Sequence, residues 1–210
     1  MGKFNHTTAP KLPRLVCIGV VSEIAPTKVS DSGNYNVTKV KIAGLEGSRD
    51  FTFSLLTRPE WLTNGYNPDE AMEGDNGATF VYSKNISPSI GRGIGILQGL
   101  PGSEENCDKM TDELFASAKE LGEAPDLYQG VEDGDLDAVL QKFCVGKTVG
   151  YILKQKEEET GLIDANGKKQ RVRTANYEMD QLFYPTKDAI DRFKKTAEKK
   201  ADDWKIAFEA

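Results

Sequence analysis

Three runs between Leu15 and Leu56 limit what this chain can become. "LVCIGVVSEI" is a continuous β-branched apolar run, and "NYNVTKVKIA" and "SRDFTFSLL" each alternate apolar with polar residues. Side chains of a strand point to opposite faces in turn, so alternation means a sheet with one buried face. The intervening "KVSDSGN" and "AGLEGS" supply turn chemistry. The reading is a three-strand antiparallel meander. On its second strand Val40 and Ile42 share one face, and Tyr35, Val37, Lys39 and Lys41 share the other, which makes that face aromatic and basic. On the third strand Phe51, Phe53 and Leu55 share a face assigned to the core.

A length of 210 residues, 38% hydrophobic and 29% charged, suits one sizeable domain with a real core. Residues 1–13 read as a flexible lead-in, residues 14–185 as the main domain with insertions at 57–135, and residues 186–210 as a C-terminal helix. No window is apolar enough to span a membrane, the N-terminus lacks a signal-peptide apolar run, and a myristoylation pattern fails at His6. Cys17, Cys107 and Cys144 are odd in number and widely spaced, and read as buried free thiols of a reducing compartment. A soluble cytoplasmic protein is expected.

The net charge of −6 conceals a local asymmetry. Residues 100–145 carry −9 and the rest of the chain +3. The acidic part contains two helical patterns, one with Met110, Leu114, Ala118 and Leu121, the other with Leu136, Val139, Leu140 and Phe143. Their acids read as a solvated face. Residues 57–99 join a turn-rich insertion to a strand-like "ATFVYSKNI" and a glycine-rich "GRGIGILQG", whose spacing is not that of a phosphate loop.

Residues 146–173 carry +3. They belong to an extended hairpin, with Asn166-Gly167 as a turn signal and Lys168, Lys169, Arg171 and Arg173 close together on the returning strand. Strand alternation puts Arg171, Arg173, Ala175 and Tyr177 on one face. This ribbon reads either as a wall of a polyanion groove or as a solvated hairpin. After Pro185, Thr186 is an N-cap for an amphipathic helix whose stripe is Ile190, Phe193, Ala197, Ala201, Trp204 and Phe208. That stripe either packs on the domain or meets another chain.

Material for catalysis is poor. The sole histidine, His6, lies in the lead-in, and no C-x-x-C pair exists. Carboxylates are abundant, but no spacing singles out a pair. Neither an enzyme, nor a cofactor, nor a metal site is expected.

Three strands, an intervening helix and a closing hairpin are the element order of an OB barrel. "PTKVSDSGNYNVTKVKIAGLEGSRDFTFSLL", "FCVGKTVGYILKQKE" and "VRTANYEMDQLFYP" resemble phage-encoded single-stranded-DNA-binding proteins with OB-like folds. The resemblance covers about half the chain, and residues 57–135 depart from it by length. It implies a mainly β, α+β protein: an OB-like five-stranded barrel with a helical acidic insertion and a C-terminal amphipathic helix. It also implies binding of single-stranded DNA without sequence preference, in phage DNA replication or recombination in a bacterial host cytoplasm. Such binding needs cations for phosphates and aromatic faces for bases. Lys39, Lys41, Lys154, Lys168, Arg171 and Arg173 are the candidates for the first, and Tyr35, Tyr151 and Tyr177 for the second. Trp204 and Phe208 are candidates for contact with replication or recombination proteins or for self-association. The alternative is a protein-interaction module using the C-terminal helix and the acidic insertion.

Overall fold

A computed structural model of the chain describes residues 9–29, 36–57, 96, 98–120, 135–163 and 167–208. The protein is mainly β with helices. Strand β1 (Arg14–Ile24) is the centre of a sheet that also contains β2 (Lys28–Val29), β3 (Asn36–Gly44), β4 (Phe51–Thr57), β5 (Thr148–Ile163), β6 (Lys169–Phe183) and β7 (Trp204–Ile206). The expected meander is present: β1 pairs antiparallel with β3, and β3 with β4. The other edge of β1 carries β5, with Leu15 opposite Leu153, and β5 carries β6. The short β7 runs parallel to β1, with Arg14 opposite Trp204 and Val16 opposite Ile206. Main-path order is thus β4-β3-β1-β5-β6, antiparallel throughout. Among the described residues no ladder joins β4 to β6, so the sheet is open where a closed barrel was expected.

Apolar runs in β1 and β5 are continuous because both faces of the sheet are covered there. One face holds Leu15, Cys17, Val21, Val40, Ile42, Leu55, Val149, Tyr151 and Leu153, against Met110 of helix α1 (Glu104–Glu120) and Val139, Leu140, Phe143 and Cys144 of helix α2 (Asp135–Cys144). Phe51 and Phe53 pack against this cluster, as their shared face requires. The other face holds Val16, Ile18, Ile152 and Phe183 against Phe193 of helix α3 (Lys187–Lys199) and against Phe208. The three cysteines are buried and free, and burial pushes the Cys144 thiol up to about 12.

Two boundaries differ from expectation. The Thr186 cap is present, its hydroxyl accepting from the Ala189 amide at 3.3 Å, but α3 ends at Lys199 rather than running to the terminus. Asp202 and Asp203 follow it, where the negative end of a helix macrodipole disfavours acids. The chain turns there and returns as β7. The second departure is at residues 9–13, which are docked rather than loose. The Ala9 amide donates to the Arg173 carbonyl at 3.0 Å, and the Gln155 side chain takes the Leu12 amide at 3.1 Å while donating to the Pro10 carbonyl at 2.8 Å. Among the described residues, no helix is long and apolar enough to cross a membrane.

Candidate nucleic-acid interface

The hairpin β5–β6, the docked segment before β1, and β7 enclose a groove of about 510 Å³. Lys11, Arg14, Lys154, Arg171 and Arg173 line it, with Glu157, Glu178 and Asp203 as its acids and Trp204 as its aromatic. Parallel pairing of β7 with β1 sets Trp204 beside Arg14, whose guanidinium lies 5.1 Å from the indole centroid. Phe193 backs the indole, with ring centroids 6.1 Å apart and planes 22° from parallel.

Most of these cations already have carboxylate neighbours. Lys154 lies 3.2 Å from both Glu178 and Asp180, Arg14 3.7 Å from Asp180, and Arg171 3.4 Å from Glu159, and Lys11 pairs with Asp203. Arg173 makes no ion pair among the described residues. The exposed pairs contribute little to stability, so a phosphate can compete for their cations. Glu159 is held below the ordinary carboxylate range, first by its hydrogen bond from Lys169 and then by that lysine's charge and by Arg171.

The candidate residues do not all come together. Lys154, Arg171 and Arg173 come together in the groove. Lys39 and Lys41 are exposed on β3, with Lys41 paired to Glu23 opposite it. Their part of β1 is the end remote from Arg14, about 30 Å along the strand from the groove. Lys168 is exposed immediately before the returning strand. Tyr35 lies outside the described residues.

The two remaining tyrosines are on the core side. Tyr151 is fully buried, and its hydroxyl donates to the Arg49 carbonyl. It offers no face to a base. Tyr177 is half-buried against the inner cluster, donates to the Pro13 carbonyl at 3.2 Å, and carries the Arg49 guanidinium 5.4 Å from its ring. Strand alternation had placed it with Arg171 and Arg173, but the β5–β6 register shifts between Gln155 and Glu157, and only the arginines line the groove. A β-bulge of this kind re-aims the side chains beyond it.

The C-terminal candidates also separate. Phe208 is buried in the outer cluster with Phe193, so the apolar stripe is spent on the chain's own sheet. Trp204, assigned to partner contact by its place in that stripe, is half-buried against the same cluster and also lines the basic groove. Sequence reasoning missed Lys11 and Arg14 there, because a two-proline segment without periodicity gave no sign of docking. The available signal was Arg14 immediately before the first apolar strand.

Set against known proteins, the chain matches no family model and no curated protein.

Proposed function

We propose that this chain binds single-stranded DNA without sequence preference, in DNA replication or recombination of the phage type, and works by binding rather than by catalysis. The observation that carries this reading is the groove itself, where five cations converge beside an indole in a chain whose net charge is −6. Cations for phosphates and an aromatic for bases are the two requirements of sequence-tolerant single-strand binding. The strand order supports the same reading: β4-β3-β1-β5-β6, with helices between β4 and β5, is the order of a five-stranded OB barrel opened between its third and fifth strands. In that reading the β5–β6 hairpin is the closing hairpin, whose loop grips the strand. Replication or recombination proteins are the natural protein partners.

Titration of a labelled oligothymidylate at two salt concentrations, beside a duplex of the same length, tests the proposal. Single-strand binding that weakens as salt rises is the expected result, because phosphate contacts release counterions. Equal affinity for the duplex, or no binding at low salt, overturns it.

A further inference from the structure

We infer that Trp204 is the base-stacking residue of this groove and that Arg14 is its exchangeable cover, moving from the indole to a phosphate when a strand binds. The inference rests on the single-strand reading above and adds to it the residue that would hold a base. It arises because Tyr151 is fully buried and Tyr177 packs against the inner cluster, whereas Trp204, half-buried against the outer cluster, lines the basic groove.

The two neighbours of the indole differ in kind. Phe193 is buried, and is itself packed on Phe183 with ring centroids 4.7 Å apart, so it forms a fixed backing. Arg14 is exposed. Its guanidinium lies over the ring at 5.1 Å and approaches Asp180 only to 3.7 Å, beyond ordinary hydrogen-bond length. Trp204 is half-buried, and an exposed cation resting on the open part of its ring gains less than a stacked base does, so a base can displace it. The displaced guanidinium stays useful: Lys154, Arg171 and Arg173 line the same groove, and a backbone drawn along them passes within reach of Arg14. The parallel β1–β7 pairing fixes the backbones of Arg14 and Trp204 side by side, so only side chains need move.

The chain contains two tryptophans, Trp61 and Trp204, so a Trp61→Phe background isolates the emission of Trp204. Oligothymidylate should quench that emission on saturation, and an abasic strand of equal length should not. Trp204→Ala should weaken oligothymidylate binding at least about fivefold while leaving abasic-strand binding unchanged. Emission that does not respond to the base-bearing strand, or a loss in Trp204→Ala that is equal for both strands, overturns the inference and leaves the single-strand reading standing. Failure of the unsubstituted protein to bind either strand removes that reading and this inference with it.

Discussion

The two halves of the β5–β6 hairpin share a ladder and little else. From Val149 to Leu153 every residue of β5 is buried, whereas from Glu157 onward the strand is exposed except at the half-buried Thr160. The near half is clamped between the two apolar clusters. The far half is held by its backbone ladder and by pairs such as Lys169 with Glu159 at 3.0 Å. Burial therefore fixes the near half, and the far half is left open to solvent. The ladder shifts register in both halves, between Ile152 and Leu153 in the buried one and between Gln155 and Glu157 and between Glu159 and Ile163 further out, so packing rather than register separates the halves.

Two glycines, one in each half, should expose this difference most strongly. A Cβ at Gly150 would meet the Phe183 ring at 2.3 Å, and that ring is held by Phe193. Gly150→Ala should cost about 3 kcal/mol by overpacking. At Gly161 a Cβ would meet nothing within 4 Å, and the constraint is instead a φ of +73°. Gly161→Ala should cost only about 1–2 kcal/mol, the cost of a left-handed conformation for an L-residue. Denaturant melts of both variants check the order, and a larger loss at Gly161 would mean that the far half carries the stability.

How far the sequence was legible follows the same division. The core strands were readable because burial imposes a pattern: Val40 and Ile42 are buried and Lys39 and Lys41 exposed, as alternation requires. The site was not. Alternation assumes an unbroken register, and the bulge after Gln155 separates Tyr177 from Arg171 and Arg173 without any mark in the apolar pattern. Tyr151 looked like a stacking residue because its type suits a base, but an aromatic in the middle of "VGYIL" is more simply a core residue. The C-terminus failed for a different reason. Trp204 and Phe208 fit a helical step of four, and Trp204, Ile206 and Phe208 fit a strand step of two equally well, so periodicity could not decide. The acids at 202 and 203 could have decided it, since they sit badly at a helix C-terminus.

Within the far half, Arg171→Ala with Arg173→Ala should leave folding almost untouched, within about 0.5 kcal/mol, because both side chains are exposed. Single-strand affinity should fall about tenfold at low salt, and the salt slope should flatten by at most about two units. A stability loss as large as that of Gly150→Ala would erase the contrast between the halves. Unchanged affinity, with the circular dichroism intact, would return the hairpin to a solvated arm.

The smallest effect concerns Glu159, which holds Lys169 at 3.0 Å and Arg171 at 3.4 Å on the exposed half. If these pairs compete with phosphate, Glu159→Gln should release both cations and tighten single-strand binding by less than about threefold, with a slightly steeper salt slope. Acidity should imitate the substitution. The carboxyl is held below its ordinary range in the folded protein, chiefly by the Lys169 hydrogen bond, so the pairing is present above that range and is lost as pH falls through the lowered value. Wild-type affinity should therefore approach that of Glu159→Gln on acidification, and the variant should lack this component of the pH profile. Titrations of both proteins across that window provide the check. Weaker binding by the variant would show that Glu159 holds Arg171 in place for the strand, making the salt-laced half a preorganised surface rather than one that must be unlocked.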